Sequence, residues 1–422
     1  SQIAAVDVVA DKLHLDEAII AISSANAQQM RKIVEHCKQS GVPFKTVPGL
    51  SELINGTVSI NSIRKVAYRD LLGRESIELD KEKIGSYLEC KSVMITGAGG
   101  SIGSELCRQV CRFHPRRIVL FERAESALYE IDLEIRKNFK EVDVRPVLAD
   151  IRERKQVAKA FENTAPDVVF HAAAYKHVPL METHPWKAVK NNIKGSRNLI
   201  EFAMQFNVER FVFVSTDKAV RPTNVMGASK RVAEMLVQSQ NACSVSKTRF
   251  MIVRFGTVVG SVGSVVPLFK KQIQKGGPVT VTHPDMTRYF MTIPEACQLI
   301  CQAGAMGKGG EIFILDMGTS IKIDDMARDL IRLSGFEPDV DIKIDYVGIR
   351  PGEKLHEELI TEGEGIVPTG HQKIMVLKGS ACDLPSMNGK IDDLIELADD
   401  QDGELIKAKL KSIVPEYSIY EP

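Results

Sequence analysis

The sequence predicts an α/β fold built on a doubly wound parallel sheet, on three observations. From Ser92 onward, short β-branched runs alternate with helical stretches. Those runs are apolar throughout rather than every second residue, as strands covered on both faces require. A glycine triplet, Gly97, Gly100 and Gly103, stands between the first run and the first helix, which is the strand–turn–helix opening of a Rossmann-type sheet. A smaller C-terminal substrate domain is expected after the sheet, and a partial N-terminal α/β segment before it.

The elements follow in order. Residues 1–56 contain "AIIAI" (18–22), "NAQQMRKIVEHCKQSG" (26–41) and "PFKTVP" (43–48), which read strand, helix, strand, with Gly41 as the helix stop and Pro43 beyond it. No strand and glycine turn open this unit, so the chain is expected to begin inside a domain. Residues 57–90 are expected to be a linker with an extended segment, "LLGRESIELD". Residues 91–256 carry the strands "SVMIT", "RIVLFE", "VRPVLAD", "DVVFHAAA", "RFVFVST" and "RFMIVRFG", with helices over 102–113, 124–138, 153–163 and 187–206. Residues 257–361 lose this regularity and gather Pro, Gly, Arg and Thr, as a substrate domain does. Within them "VTVTHPDMTRYF" (279–290) alternates apolar and polar residues and reads as a strand. Residues 362–422 form a smaller subdomain whose amphipathic "GELIKAKLKSIV" suits core or an oligomer contact rather than a membrane surface.

Composition narrows the partners. The 55 basic and 55 acidic residues balance, which favours neither nucleic acid nor an anionic membrane. A hydrophobic content of 44% is ordinary for a globular protein, and no apolar run approaches a membrane span. Eight cysteines in this length are no disulfide scaffold. Cys107/Cys111 and Cys297/Cys301 each share a helix face, too few ligands for zinc, so small buried side chains and no metal site are expected.

A dinucleotide fits the glycine turn. Gly97 permits the tight turn, Gly100 lets backbone amides approach a pyrophosphate, and Gly103 lets the helix opened by Ser101 and Ile102 lie close to the sheet. Glu122 ends the second strand, nineteen residues past Gly103, where an acid accepts from the adenosine ribose hydroxyls. That favours NAD; Arg123 keeps NADP open, since it could hold a 2′-phosphate. Asp150 and Ile151 are positioned to meet adenine, Ala172, Ala173 and Ala174 leave room for the cofactor, and Asn192 with Gly195 steadies the strands near the nicotinamide.

The fifth strand ends in Thr216, Asp217 and Lys218, at the carboxyl edge where open α/β sheets place chemistry. Four residues separate Met226 from Lys230, the spacing of the Tyr-x-x-x-Lys pair of short-chain dehydrogenases/reductases, with a thioether where the phenol would be. "TGAGGSIGSELCRQV", "HAAAYKHVPLME", "STDKAVRPTNVMGASKR", "GSVVPLF", "HPDMTRYFMTIPEA" and "RPGEKLHEEL" fall in order over residues 60 to 380. Together they resemble the UDP-N-acetylglucosamine 4,6-dehydratases of the polysaccharide-biosynthesis branch of extended short-chain dehydrogenases/reductases.

The resemblance implies oxidation at sugar C4, loss of water across C5 and C6, and a cofactor regenerated in each turnover. It assigns the acid to Asp217 and the base to Lys218, whose pKa burial, Lys230 and the nicotinamide would lower; Asp217 would be raised. Thr216 would bond the 4-hydroxyl and Lys230 the nicotinamide ribose. Asp217 would take the 4-hydroxyl proton in place of the missing tyrosine, with Met226 packed against sugar or ring and C5 configuration retained. Lys176 and His177 are candidates for hexose or phosphate, Thr257 and Thr280 for the nucleotide, Arg288 and Arg350 for the diphosphate, and Glu353 for the uridine ribose. Thr257 stands where similar proteins have Asn. Long members of the group carry membrane helices and a nucleotide-binding-like domain ahead of the catalytic unit, and residues 1–56 resemble the end of that domain. The chain is thus expected to be a cytoplasmic, homo-oligomeric part of an inner-membrane-anchored enzyme, meeting the membrane only through a segment it lacks. Rival readings are a UDP-sugar 4-epimerase, a C5-inverting dehydratase and a non-catalytic NAD-binding scaffold.

Overall fold

The computed structural model describes residues 15–22, 27–40, 42–47, 66, 68–72, 77–242, 247–360, 365–377 and 384–420. In the N-terminal part, β1 (Ala18–Ile20), α1 (Ala27–Gln39) and β2 (Phe44–Thr46) form a parallel strand pair with its helix. A 3₁₀ turn (Tyr68–Leu72) and α2 (Lys81–Leu88) follow. Next come β3 (Ser92–Thr96), α3 (Ser101–Cys111), β4 (Arg117–Glu122), α4 (Glu125–Asn138), β5 (Asp143–Leu148), α5 (Arg154–Thr164) and β6 (Val168–His171). Then α6 (Val178–Thr183), a π turn (Val189–Lys194) running into α7 (Gly195–Gln205), β7 (Arg210–Val214), α8 (Val225–Ala242) and β8 (Arg249–Arg254) complete the alternation.

The remaining elements are β9 (Thr257–Val259), α9 (Val265–Gln274), β10 (Val279–Val281), β11 (Thr287–Arg288), β12 (Phe290–Thr292), α10 (Ile293–Met306) and β13 (Ile312–Leu315). β14 (Ile321–Lys322), α11 (Ile323–Leu333), β15 (Ile344–Tyr346), β16 (Ile366–Pro368), β17 (Ile374–Leu377), α12 (Leu384–Asp400) and α13 (Gly403–Ile413) close the chain.

Among the described residues, the main sheet has nine strands in the order β16-β17-β13-β8-β7-β6-β3-β4-β5. The strands from β13 to β5 pair in parallel, and β17 and β16 add antiparallel. The order reverses between β3 and β6, which opens a crevice at their carboxyl ends. The expected doubly wound sheet is therefore present, and it reaches further than the sequence suggests. It runs across residues 256 and 361, the expected domain limits, because the short apolar run of β13 docks on β8 and that of β17 docks on β13. Its outer strands, β5 and β16, each contain a proline, Pro146 and Pro368.

Apolar clusters lie on both faces of the sheet. One joins α5, α7 and α8 with α12 and α13, through Ile391, Leu394, Ile406 and Leu410. The other joins α2, α3 and α10. The four cysteines 107, 111, 297 and 301 are buried there, and burial pushes the Cys111 and Cys301 thiols up to about 12. A third cluster joins α1, the 3₁₀ turn and α11.

Two expectations need correction. Residues 57–90 do not simply link: Tyr68 and Leu71 enter the third cluster and Ile84, Tyr87 and Leu88 the second, because Ile84, Tyr87 and Leu88 share one face of α2. The single strand over 279–290 is broken into β10 and β11, since Met286 turns inward after His283 accepts its N–H at 3.2 Å. The parts of the expected 1–56 and 57–90 units at residues 1–14, 23–26, 41, 48–65, 67 and 73–76, the expected helix stop Gly41 among them, lie outside the described residues.

Candidate active site

The crevice between β3 and β6 is a pocket lined by Gly97, Gly100, Phe121, Glu122, Arg123, Ala149, Ile151, Ala172, Ala173, Ala174 and Asn191. Gly97 has φ +70°, and a Cβ there would lie 2.9 Å from the Ala173 backbone. A Cβ on Gly103 would lie 1.9 Å from the Gly97 carbonyl oxygen. Both glycines are thus demanded by backbone approach, and Gly100 N-caps α3 without a side chain. The result is a helix N-terminus open toward the pocket, a cradle that fits a pyrophosphate.

Glu122 faces this cradle. Its carboxylate accepts the Gly99 N–H at 3.1 Å and the Arg123 and Ala124 N–H groups at 2.9 and 3.0 Å. Arg123 is stacked 4.5 Å over the Tyr175 ring. Asp150 is held by Arg152 at 2.5 Å; burial alone would raise its carboxyl, but that guanidinium keeps it below the usual range. Ile151 is buried against Gly195, where an added Cβ would come within 2.6 Å of it. Asn192 accepts the Tyr175 N–H at 2.8 Å and donates to the Tyr175 carbonyl and Ser229 Oγ, each at 3.0 Å. It therefore fastens the segment after β6 to α8. Ser101 Oγ accepts the Val262 N–H at 3.2 Å, and the Ile102 carbonyl accepts from Cys297 Sγ.

At the tip of β7, Asp217 and Lys218 turn back toward the sheet. The Asp217 side chain is fully buried. Its Oδ1 accepts from Thr216 Oγ1 at 2.9 Å and Lys218 Nζ at 3.0 Å, while Oδ2 is buried with no partner. Burial pushes this carboxyl above its usual range and the Glu357 charge adds to the rise, against the pull of Lys218. That is the direction a proton donor needs.

Lys218 departs from expectation. Nζ lies 3.1 Å from Glu357 Oε1 as well as near Asp217. Burial alone would lower the ammonium, but the two carboxylates outweigh it and hold it above its ordinary value. Burial does lower Lys230, to about 7. Its Nζ donates to the Val214 carbonyl at 2.6 Å and sits 3.9 Å from the centre of the Phe213 ring. Met226, one helical turn earlier, is buried in the first apolar cluster.

Glu357 is the residue that sequence reading missed. It lies in "RPGEKLHEEL", four residues beyond Glu353, and resembles any surface acid there. The turn that delivers it is pinned to the start of α8: Thr223 Oγ1 and Asn224 Nδ2 each donate to the Gly352 carbonyl at 3.0 Å. Lys354 Nζ donates to the Val220 carbonyl at 2.9 Å. Arg288 Nε stands 3.7 Å from Glu357 Oε1, and Arg288 Nη1 donates to the Thr287 and Leu355 carbonyls. Burial alone would raise Glu357, but Lys218 and Arg288 hold it below its usual range. Glu357 Oε2, like Asp217 Oδ2, is buried without a partner.

Behind this cluster Arg254 clasps Glu234 at 2.8 and 2.6 Å, and Ser215 Oγ donates to Glu234 at 2.6 Å. The pair braces the strand tip from inside.

The other candidates scatter. Lys176 and His177 are exposed after β6, with the His177 ring against Gly263. Thr257 begins β9 and donates its N–H to the Tyr289 carbonyl at 3.1 Å. The Thr280 hydroxyl is taken by Gln272 at 2.8 Å. Arg350 is exposed, and its N–H reaches Glu353 Oε2 at 3.4 Å. So the structure brings Asp217, Lys218 and Arg288 together around Glu357, and leaves Thr280 engaged within its own strand-helix unit. Among the described residues, no cluster of His, Cys, Asp and Glu is arranged to hold a metal ion.

The profile of the polysaccharide biosynthesis protein family matches residues 93–379. The chain belongs to that family. The capsular polysaccharide biosynthesis protein CapD of Staphylococcus aureus is 49% identical over 354 residues, 84% of this chain and 59% of CapD. The probable polysaccharide biosynthesis protein EpsC of Bacillus subtilis is 47% identical over 387 residues, 92% of this chain and 64% of EpsC. The chain thus spans less than two thirds of these relatives. A UDP-N-acetylglucosamine 4,6-dehydratase (inverting) of Campylobacter jejuni is 35% identical over 277 residues, 65% of this chain and 78% of the dehydratase. Among solved structures, Pen from Bacillus thuringiensis superimposes with a TM-score of 0.64 at 36% identity, covering 71% of this chain and 90% of Pen. DesIV of Streptomyces venezuelae, a dTDP-glucose 4,6-dehydratase solved with NAD and TYD bound, gives a TM-score of 0.56 at 21% identity, over 64% of this chain and 88% of DesIV. At that identity it speaks for the fold alone. Among the described residues, no helix is long and apolar enough to cross a membrane.

Proposed function

We propose that this chain dehydrates UDP-N-acetylglucosamine to UDP-2-acetamido-2,6-dideoxy-4-hexulose with retention at C5, using NAD, as a step in bacterial glycan or polysaccharide synthesis. The observation that carries this reading is the pair of buried Asp217 and half-buried Lys218 at the tip of a parallel strand, with one carboxylate oxygen unpartnered. An elimination needs an acid and a base side by side. A 4-epimerase does not need the second group.

The cradle of Gly97, Gly100 and Gly103 and the carboxylate of Glu122 suit NAD, and a 2′-phosphate beside Glu122 would be repelled. NAD held there supplies a hydride acceptor for C4 and a donor for C6. The chain's own groups handle protons. Asp217 Oδ2 takes the proton of the 4-hydroxyl and later delivers it to the departing C6 hydroxyl. Lys218 Nζ takes the C5 proton, exchanges it with solvent and protonates the same carbon from the same side, which is why retention follows from one base on one face. Thr216 steadies the Asp217 carboxyl, and Lys230 is positioned to turn from the Val214 carbonyl toward the nicotinamide ribose. Arg288, Arg350 and Glu353 serve the UDP part.

The test is to incubate the protein with UDP-N-acetylglucosamine, add no cofactor, and measure product mass and C5 configuration in deuterated water. The reading expects loss of one water with deuterium at C5. An isomer of unchanged mass means a 4-epimerase, inverted C5 means the inverting dehydratase, and NAD binding without turnover means a scaffold. Asp217→Asn is expected to lose both NADH formation and elimination by about 10²–10⁴-fold; a variant that still accumulates 4-keto sugar with NADH rules out Asp217 as the first proton acceptor.

A further inference from the structure

We infer that Glu357 is a positioning residue that holds the proton of Lys218 while Lys218 works as the C5 base, and that Arg288 controls when it does so. This rests on the dehydratase reading above.

The difficulty it resolves is one of proton accounting. A base must be a free amine, yet Lys218 stands between two carboxylates, at 3.0 Å from Asp217 and 3.1 Å from Glu357. Asp217 is already committed to the 4-hydroxyl proton, so it cannot also discharge Lys218. Glu357 can. Its side chain is 3% exposed, its Oε1 faces Nζ, and its Oε2 is buried without a partner. A carboxylate so placed has spare acceptor capacity and little water to satisfy it.

The transfer is balanced and internal. An N–H bond of Lys218 breaks and an O–H bond of Glu357 forms, so ammonium and carboxylate become amine and carboxylic acid. No electrons change hands and the net charge of the cluster is unchanged. The amine then takes the C5 proton, and after Nζ delivers a solvent-exchanged proton to C5 the acid gives its own back to Nζ.

Arg288 supplies the trigger. Its Nε lies 3.7 Å from Glu357 Oε1, and its charge, with those of Lys218 and the nearby Lys354, holds the Glu357 carboxyl below its usual range. Asp217 is the remaining charged neighbour of the Lys218–Glu357 pair. A diphosphate that draws the Arg288 guanidinium to itself removes the cation that opposes protonation of Glu357. Binding of a sugar diphosphate thereby arms the base.

The experiment is C5 deuterium incorporation from UDP-N-acetylglucosamine in deuterated buffers from pH 6 to 10, for the wild type, Glu357→Gln and Glu357→Asp. The wild type is expected to be nearly level, because the transfer is internal. Glu357→Gln is expected to be slower by at least about 100-fold near neutrality and to climb about tenfold per pH unit, since Lys218 must lose its proton to solvent. Glu357→Asp is expected to return to a level profile at a lower rate. A Glu357→Gln profile that matches the wild type, or falls by one factor at every pH, overturns the inference. If Glu357→Gln does not fold, the Asp variant decides: a level profile supports the inference and a climbing one overturns it. A wild type that makes no dehydrated product fails the functional reading instead, a distinct result.

Discussion

Lys230 shows how one buried amine can carry a pH signature. Its native pKa near 7 lies below the ordinary 10.5. Between those values the unfolded chain binds a proton that the native protein does not. Stability contributed at this site therefore rises with pH across that window, and below about pH 7 the cost of burying the charge is fully present. Compared with Lys230→Met, the wild type should gain about 1 kcal/mol of unfolding free energy per pH unit between pH 7 and 9. Urea unfolding of both proteins at three pH values checks the sign. At the same scale, Lys218 could not be read correctly from sequence. Its ammonium is held by Asp217 and Glu357 together, and no local pattern associates Glu357 with it.

At the scale of elements, two glycines make opposite demands. Gly103 in α3 packs on the Gly97 carbonyl, so Gly103→Ala should cost about 1–3 kcal/mol and loosen the cofactor cradle. Gly85 in α2 has nothing within 4 Å of an added Cβ, so Gly85→Ala should stabilise by about 0.5–1 kcal/mol. Thermal melts, with NAD retained after gel filtration as a second readout, separate the two. Strands β3, β4, β6, β7 and β8 were legible because both faces are covered, which leaves uninterrupted apolar runs such as "RIVLFE". The glycine turn was legible because backbone contact tolerates only one residue type. By contrast β13 and β17, "IFIL" and "IMVL", are four residues each, too short to declare a period. The turn at Gly352 that brings Glu357 to Lys218 rests on hydrogen bonds to Thr223 and Asn224, and pairings so distant along the chain leave no spacing to recognise.

Over the whole molecule, the C-terminal residues complete the sheet rather than append to it. β17 pairs with β13 through Ile312–Leu315, and α12 and α13 bury Ile391, Leu394, Ile406 and Leu410 in the cluster that also holds Met226. A chain stopped after residue 361 would bare that cluster and an apolar strand edge. It is expected to be insoluble or to lose its cooperative melting transition, whereas a free-standing C-terminal subdomain would leave a soluble, cooperatively melting remainder. Soluble yield and calorimetry distinguish these outcomes.

The prolines in the two rim strands, Pro146 and Pro368, bear on how copies of this molecule can meet. A rim lacking an N–H donor offers an incoming strand an incomplete row of partners. Growth into a continuous ribbon through these two rims is thereby discouraged.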